Sequence, residues 1–252
     1  LFALYAGSAL RRFWRPALAL AWLGGLALIG VLMWGGVFGL PYVENERWGG
    51  LALTLLLATF GIAFAFPISI LLALGRRSAL PAVRALSVLW IELVRGVPLI
   101  SLLFMASVLL PLFLPAGVSI DKLLRALIAM IVFAAAYLAE VVRGGLQAVP
   151  HGQLEAADAL GLPYWRKTLL VILPQALRVI VPPLTSQYLN LTKNSSLAVA
   201  IGYPDLVSIA NTTMNQTGQA IEGIAIIMAV YLTISLSISA FMNWYNAHVA
   251  FR

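Results

Sequence analysis

Acidic and basic side chains recur in this sequence at a spacing suited to ion pairing. The pattern Glu-x-Val-Arg-Gly occurs twice, at residues 92–96 and 140–144. On a helix, a Glu and an Arg three residues apart share one face and can neutralise each other. In apolar surroundings they either anchor helix ends at a membrane surface or line a water-filled path. The four side chains left open to both interpretations are Glu92, Arg95, Glu140 and Arg143.

A second polar group is the run Lys193, Asn194, Ser195 and Ser196, which follows Pro182 and Pro183 after an apolar stretch. Proline removes backbone hydrogen bonds, and polar or irregular backbone at membrane depth persists only against protein or an aqueous cavity. The run is therefore interpreted as lining a pore. The alternative is a polar cap just outside the membrane.

Residues for covalent, metal or nucleotide chemistry are absent or isolated. No G-x-x-x-x-G-K-[ST] loop occurs, so this chain cannot itself cradle the phosphates of ATP. His151 and His248 are the only histidines, neither belongs to a motif with metal-ligand spacing, and there is no cysteine. The sequence predicts no catalytic residue, no metal site and no bound cofactor, so the chain is not an enzyme by itself.

The composition determines the class of protein. Hydrophobic residues make up 62% of the chain and charged residues only 10%, which is far from the usage of soluble domains. Apolar segments of about 20 residues span a bilayer as helices, because no water is present there to satisfy the backbone. The sequence therefore predicts an all-α integral membrane protein in contact with membrane lipid.

Six spans are expected, and the first lies outside the main apolar core. The boundary is placed after residue 48, so that residues 1–48 hold an N-terminal segment, one helix and an outer loop, and residues 49–250 hold five spans. The chain begins at Leu1 without a methionine, so further N-terminal sequence is expected. The predicted spans are residues 16–40, 48–74, 85–114, 123–142, 176 to about 192, and 221–244.

The distribution of basic residues predicts the orientation. Cytoplasmic loops carry an excess of Lys and Arg. Because six spans alternate in direction, most of the basic residues fall on one side of the membrane, which is therefore predicted to be the cytoplasmic side. Both termini and the loop between the fourth and fifth spans lie on that side. The net charge of +7 follows from this topology, with no basic patch for nucleic acid. The basic residues on the predicted cytoplasmic side are Arg11, Arg12, Arg15, Arg76, Arg77, Arg84, Arg95, Arg143, Arg166, Lys167, Arg178 and Arg252. On the other side Arg47 lies beside Glu44 and Glu46, and Lys122 and Arg125 lie beside Asp121.

The loop between the fourth and fifth spans contains an unusual polar, helix-forming segment. Glu155, Ala156 and Ala157 favour a helix with a small, close-packing face, and Gly161 supplies the left-handed backbone that ends it. A second short helix begins at Pro163 and leads back to the bilayer. An ordinary amphipathic connector is the alternative to a docking segment.

This segment resembles the EAA loop of the permease subunits of ABC importers, which reads EAA, three residues, G, nine residues and I-x-LP. It matches throughout, except that Val171 stands where Ile is usual. The resemblance implies that the loop, at about residues 143–175, is the cytoplasmic coupling loop that docks on an ATPase subunit. The implied coupling residues are Glu155, Ala156, Ala157 and Gly161.

Residues 49–250 also resemble the polar amino acid permeases, the histidine/glutamine/arginine and general L-amino acid importers. The resemblance rests on Glu92-Leu-Val-Arg95-Gly96-Val-Pro98, on Ala136-Tyr137-Leu-Ala139-Glu140-Val-Val-Arg143-Gly144-Gly145, and on the run from Lys193 to Leu197. It implies a five-span core of the type I ABC importer kind, in the bacterial inner membrane. The extra first span is a departure that is similar to the longer general L-amino acid permeases.

The resemblance also implies an assembly. It predicts two ATPase subunits that hold ATP and Mg²⁺, a second permease that is identical or paralogous, and a periplasmic or lipid-anchored amino acid-binding protein. Neither the amino acid carried nor the identity of the second permease follows from the sequence. The alternatives are an ATP-independent secondary transporter, for which paired broken helices are expected and only the fifth span is suggestive, and a non-transporting scaffold or sensor.

Overall fold

The computed structural model describes residues 16–44, 47–115 and 117–249. Over these residues the protein is helical without a β-strand, which confirms the all-α prediction, and an isolated bridge joins Gly50 to Asp205. The chain divides into two compact units, Leu1–Trp48 and Gly49–Arg252. Several residues used to predict the orientation lie outside the described residues, namely Arg11, Arg12, Arg15, Glu46 and Arg252.

The helices follow one another with short connections. The helix that ends at Phe104 continues as a π-helical turn, Met105–Leu109, and then as a 3₁₀ turn, Leu110–Phe113. The helix that ends at Lys167 continues as a π-helical turn, Thr168–Ile172, and the helix that ends at Asn194 continues as a 3₁₀ turn, Ser195–Ile201. The helices are α1 (Pro16–Trp34), α2 (Gly50–Arg76), α3 (Pro81–Arg95), α4 (Leu99–Phe104), α5 (Lys122–Gln147), α6 (His151–Ala159), α7 (Tyr164–Lys167), α8 (Leu173–Val179), α9 (Val181–Asn194), α10 (Leu206–Thr217) and α11 (Ala220–Val249).

In the first unit, α1 ends at Trp34, before the predicted end of the first span at residue 40. The cause is local, since Gly35 and Gly36 both have positive φ values, of 65° and 75°, and such a backbone cannot continue a right-handed helix. The chain then turns back so that the rings of Trp34 and Trp48 meet edge to face, with centroids 4.6 Å apart.

The second unit carries the predicted core spans, but two of them are not straight. Among the described residues, α2, α5 and α11 are each long and apolar enough to cross a membrane. The predicted third span is bent by 102° between Arg95 and Leu99, and the predicted fifth by 62° between Val179 and Val181. By length and composition the described residues contain three spans, or up to five if each bent pair is one span, and the predicted span over 85–114 corresponds to a bent helix pair.

Proline accounts for both bends. Pro98 precedes α4, and the residue before a proline is disfavoured in the helical region. Pro182 and Pro183 have no N–H, so they cannot donate to carbonyls one turn earlier in the chain. This part of the sequence analysis, which expected the fifth span to be broken at these prolines, is confirmed.

Small residues allow α2 and α5 to form the centre of the second unit. Ala58, Ala65 and Ala73 of α2 are fully buried, as are Ala136 and Ala139 of α5. In membrane helices, small side chains let backbones approach closely, and the resulting van der Waals packing drives association. Among the described residues, these two helices consequently share the most extensive helix–helix contact.

A buried apolar cluster, here called the loop-end cluster, joins this centre to the segment that carries α6 and α7. Its members come from the C-terminal parts of α2 and α5, from the residue before Pro150, from α8, and from the residues directly before and after α8, so the cluster joins these three helices at one end of the bundle. They are Ala73, Val142, Leu146, Val149, Ile172, Ala176 and Ile180. The end of the bundle at which the cluster lies is called the loop end below.

Candidate functional site

The polar loop folds as a helix with a well-defined C-terminal turn. After α6, Gly161 has φ +65°, its N–H donates to the carbonyl of Asp158 (2.9 Å), and the N–H of Leu162 donates to the carbonyl of Ala157 (3.2 Å). These two bonds define the Schellman motif, which satisfies the last carbonyls of a helix. The left-handed conformation predicted for Gly161 is confirmed, as is the short helix beginning after Pro163.

The two faces of α6 differ in exposure. Ala157 is only 2% exposed, and Leu154 packs against the loop-end cluster. Glu155 and Ala156 are exposed. The predicted coupling residues therefore separate into one that fastens α6 to the bundle and two that are accessible to another molecule.

Polar contacts tie α6 to the elements that follow it. Lys167 Nζ lies 2.5 Å from Asp158 Oδ1, and the Gln175 side-chain amide donates to Gln153 Oε1 (3.2 Å) and to the carbonyl of Val171 (3.0 Å). Because these groups are partly exposed, each contact adds about 1 kcal/mol or less. Their effect is to orient α6 relative to α8.

A π-helical turn lies directly after α7 and was not predicted. It covers Thr168–Ile172 and includes Val171, where the loop pattern usually has Ile. Pro174 follows within the next turn and cannot donate a backbone hydrogen bond, which disturbs the regular helical ladder before it. Single π turns often occur at functional positions, and this one connects α6 and α7 to the bent fifth span.

Both predicted Glu/Arg pairs form, and a third arginine joins them. Arg76 Nη1 lies 2.9 Å from Glu92 Oε1 and 2.6 Å from Glu140 Oε1. Arg143 Nη2 lies 2.8 Å from Glu140 Oε2, and Arg95 Nη1 lies 3.7 Å from Glu92 Oε2. These five residues, here called the charge cluster, link α2, α3 and α5 at the loop end. The sequence analysis used Arg76 only for topology and missed this contact.

In the charge cluster, both glutamate side chains are paired with arginines. Two carboxylates face three guanidinium groups, so the cluster carries a surplus of one positive charge, and neither carboxylate is left unpaired. Arg95 also lies over the ring of Tyr137, with its Cζ 5.5 Å from the ring centroid. Both carboxylates are therefore paired in this structure, and the interpretation of Glu92, Arg95, Glu140 and Arg143 as lining a water-filled path stays a prediction.

We expect Arg76→Met to destabilise the protein more than Arg84→Met. Arg76 is the bridge between two carboxylates, with 24% of its side chain exposed, so removing it leaves Glu92 and Glu140 facing each other in a partly buried site. The loss lies between that of exposed and buried ion pairs, at about 1–3 kcal/mol. Thermal unfolding of the purified protein in detergent measures it.

Arg84 is a suitable control because it is exposed on α3 and forms no ion pair with any described residue. Arg76→Lys should recover part of the loss, since one cation remains but the guanidinium fork does not. Equal melting temperatures for Arg76→Met and Arg84→Met would contradict the bridging role.

A polar stripe runs along one face of α9, formed by Gln187, Asn190, Lys193 and Asn194. With Phe133 and Tyr137 of α5, it lines a groove of about 300 Å³. The two aromatic rings are packed together, with centroids 4.7 Å apart. The groove therefore combines polar side chains of α9 with aromatic side chains of α5.

The structure divides the predicted run 193–196. Lys193 and Asn194 line the groove, whereas Ser195 is fully buried and its hydroxyl donates to the carbonyl of Thr192 (2.8 Å). The Ser196 hydroxyl donates to the carbonyl of Lys193 (2.8 Å). The two serine hydroxyls therefore satisfy backbone carbonyls at the end of α9. Neither serine lines the groove, and the interpretation of the whole run 193–196 as lining a pore stays a prediction.

A buried carboxylate lies at the end of the bundle opposite the loop end. Asp205 is fully buried and caps α10 by accepting from the N–H groups of Val207 (3.2 Å) and Ser208 (2.9 Å). Burial raises the pKa of this carboxyl, and the backbone N–H groups partly oppose the shift. The N–H of Gly50 also donates to the carbonyl of Pro204 (2.8 Å), so the start of α2 is fixed to this turn.

Comparison with known proteins identifies the family to which this chain belongs. Residues 65–252 match the family described as the binding-protein-dependent transport system inner membrane component. The chain is 52% identical over 216 residues to the inner membrane amino-acid ABC transporter permease protein YhdY of Escherichia coli K12, covering 84% of this chain and 59% of that protein. It is 42% identical over 228 residues to the glutamate/glutamine/aspartate/asparagine transport system permease protein BztC of Rhodobacter capsulatus, covering 88% and 52%.

A solved structure shares the fold. The crystal structure of an amino acid ABC transporter with histidines matches with a TM-score of 0.70 and 30% identity, over 79% of this chain and 92% of that chain. This chain spans little more than half the length of the two relatives named above.

Proposed function

Because this chain belongs to the family of binding-protein-dependent transport system inner membrane components, we propose that it is the membrane-spanning subunit of an ATP-driven importer of polar L-amino acids. The observation that carries the proposal is α6. It presents Glu155 and Ala156 outward while Ala157 and Leu154 fasten it to the bundle, as a helix that receives motion from a partner requires. The names of the relatives supply the class of cargo.

The proposed assembly contains partners that complete this chain. Two ATPase subunits hold ATP and Mg²⁺ and dock on α6 and its equivalent, and an amino acid-binding protein delivers cargo at the opposite face. A second permease, identical or paralogous, covers the polar stripe. This pairing is supported by the cost of leaving amide and ammonium groups against hydrocarbon, since such groups at membrane depth face protein or water.

In this mechanism the loop-end cluster transmits motion. When the ATPase subunits close, α6 moves with them, and the cluster carries the movement to the ends of α2, α5 and α8 because a packed apolar interior is not easily compressed. The bundle then changes between inward-open and outward-open states. Coupling of this kind needs two discrete states of one rigid body against another.

The proposed location is the bacterial inner membrane, with the loop end in the cytoplasm. Support comes from the basic residues at that end, among them Arg76, Arg77 and Arg143 on the helices and Arg166 and Lys167 beside α6. An excess of basic residues marks the cytoplasmic side of bacterial membrane proteins. Cytoplasmic termini remain part of the proposal.

The alternative of an ATP-independent secondary transporter has to be reconsidered because the structure contains two bent helix pairs, where the sequence suggested one. The bends differ, at 102° and 62°, and the second pair includes α7, which directly follows the docking helix. The family match and the exposed face of α6 favour the ATP-driven importer.

Reconstitution of the complete complex in proteoliposomes tests the proposal. We expect uptake of a polar L-amino acid only when the ATPase subunits, ATP and the binding protein are all present, together with stimulated ATP hydrolysis. An ATPase variant unable to hydrolyse ATP serves as the control. Uptake that persists without ATPase subunits would instead establish the secondary transporter.

A further inference from the structure

Helix α3 runs almost at a right angle to α5, one of the helices that are long and apolar enough to cross a membrane. The carbonyl of Arg95 accepts from the Tyr137 hydroxyl (3.4 Å), and the carbonyl of Ser107 accepts from Arg125. The two contacts are equally far apart in both partners, from 95 to 107 and from 125 to 137, so the chain after Arg95 follows α5 in the opposite direction. Because α3 is bent by 102° from this chain and spanning helices tilt by only about 20° on average, α3 lies close to the membrane plane.

The level of α3 along α5 matches the surface of a bilayer at the loop end. Arg76 connects Glu92 of α3 to Glu140 of α5, at 2.9 and 2.6 Å. About 30 Å of helix separates Lys122, at the far end of α5, from Arg143 in the charge cluster. This is the thickness of the hydrocarbon core, so α3 and the charge cluster lie where the hydrocarbon ends.

The apolar side chains of α3 divide between the bundle and its surroundings. Ile91 and Val94 are buried against the bundle. At 100° per residue, Leu86, Leu89 and Leu93 fall in a different sector of the helix, about 60° wide, and they are 67%, 62% and 57% exposed. These three residues are called the leucine sector below. The helix is also far more amphipathic than α2 and α11.

The charged side chains of α3 occupy a further sector, about 80° wide, which contains Arg84, Glu92 and Arg95. Arg84 is exposed and forms no ion pair with any described residue. Together with Arg77, which follows Arg76 in the chain, it raises the surplus of positive charge around α3 from one in the charge cluster to three. The leucine sector is therefore flanked by a region of positive charge at the level of the membrane surface.

We propose that α3 lies in the headgroup region of the leaflet at the loop end and binds anionic phospholipid there. The leucine sector enters the acyl chains, while Arg84 and the surplus charge around it attract the phosphate groups, as in other basic amphipathic helices at bilayer surfaces. A phospholipid fits this surface because it presents a phosphate and hydrocarbon chains together. Neither ATP nor an amino acid enters this interaction, which goes beyond the transport function proposed above.

Spin labels on introduced cysteines test the position of α3, since the sequence contains no cysteine. The assembled complex, with cysteine-free partner subunits, is placed in nanodiscs, and collisions with oxygen and with a nickel chelate give the depth of each label. Labels at Leu86→Cys and Leu93→Cys should differ in depth by less than half as much as labels at Phe64→Cys and Leu71→Cys. The latter pair is exposed on α2 with the same spacing, which corresponds to about 10 Å in a spanning helix.

Two outcomes of this measurement would contradict the proposal. Equal depth differences in the two pairs would show that α3 crosses the bilayer, which would overturn its surface position. Labels on α3 that neither oxygen nor the nickel chelate reaches would show that another subunit covers the leucine sector, which would overturn lipid binding.

A fluorescent label at Leu86→Cys tests the class of lipid, with brominated phosphatidylglycerol or brominated phosphatidylcholine as the quencher in equimolar mixtures of the two lipids. One arginine near an anionic surface contributes about fivefold in affinity, so phosphatidylglycerol should be preferred at Leu86 by at least about that factor, with no preference at Phe64→Cys. Arg84→Met should lower the preference about fivefold, and Arg84→Lys should keep most of it. Equal quenching by the two lipids at Leu86, or a preference unchanged in both Arg84→Met and Arg84→Glu, would overturn the binding of anionic lipid.

Discussion

Replacing Gly145 by alanine is expected to destabilise the loop end of the bundle and to abolish ATP-driven uptake. Gly145 lies where α5 crosses α8, and a Cβ atom added there would be 2.3 Å from Ile180 Cγ2 and 2.8 Å from the carbonyl oxygen of Ala176. The Ile180 side chain can rotate, but the Ala176 oxygen belongs to the backbone. The two helices must therefore separate, at a cost of about 1–3 kcal/mol or more.

The adjacent glycine provides a matched control. Gly144 is exposed on the same helix, and a Cβ added there meets nothing within 4 Å. Alanine is favoured over glycine in a helix by about 1 kcal/mol, so Gly144→Ala should leave the melting temperature unchanged or raise it. Thermal unfolding of the two purified variants and uptake by the reconstituted complexes measure the difference.

A double substitution tests the cause. Ile180→Ala removes the closer of the two contacts, so it should restore part of the stability lost in Gly145→Ala, although the Ala176 carbonyl remains in the way. Identical melting temperatures for Gly144→Ala and Gly145→Ala would mean that α5 and α8 do not pack as described. Loss of transport by the double variant despite recovered stability would place the effect of Gly145 in the motion of the loop-end cluster.

The features that followed from the sequence depend on local backbone chemistry. Gly161 adopts the expected left-handed conformation because the end of a helix leaves carbonyls unsatisfied, and glycine meets them at little steric cost. Pro182 and Pro183 break the fifth span because proline lacks an N–H. Each of these features depends only on residues within one or two helical turns, so it could be predicted from the local sequence.

The features that were missed depend on residues far apart in the sequence. Arg76 and Glu140 are separated by 64 positions, and the repeated Glu/Arg spacing gave no sign that a third arginine would join the two pairs. Only tertiary packing brings these residues together. The bend between Arg95 and Leu99 is the exception, because it follows from the local chemistry of Pro98. It was missed because Gly96 and Pro98 were interpreted only as part of a family signature.

The groove is an intermediate case. The helical spacing of Gln187, Asn190 and Asn194 in an apolar span was visible, yet the run 193–196 was treated as one unit. A helix separates neighbours in sequence by about 100°, so Ser195 turns into the core while Asn194 faces the groove. Helical periodicity applied to residues 193–196 would have predicted that Asn194 and Ser195 face different sides of the helix.

Gly161→Val is expected to reduce ATP-driven uptake at least about tenfold while the protein still inserts into the membrane. Valine is β-branched, and its left-handed conformation costs about 1–2 kcal/mol, so the Schellman turn after α6 opens. A Cβ at Gly161 meets no atom within 4 Å, which makes backbone strain the source of the effect. Once the turn opens, Glu155 and Ala156 no longer have a fixed position for docking.

Gly161→Asn separates this cause from loss of the docking surface itself. Asparagine adopts the left-handed conformation more readily than other side chains, so it should keep most of the uptake and of the ATPase stimulation by the binding protein, whereas valine keeps neither. Equal uptake by the valine and asparagine variants, at any level, would show that the left-handed turn is not what positions α6. If both variants lost uptake while their ATPase subunits remained bound, the glycine itself would be needed at the interface. A transport rate that falls from the wild type to Gly161→Asn and then to Gly161→Val is the result that follows from a coupling helix held in place by its C-terminal turn.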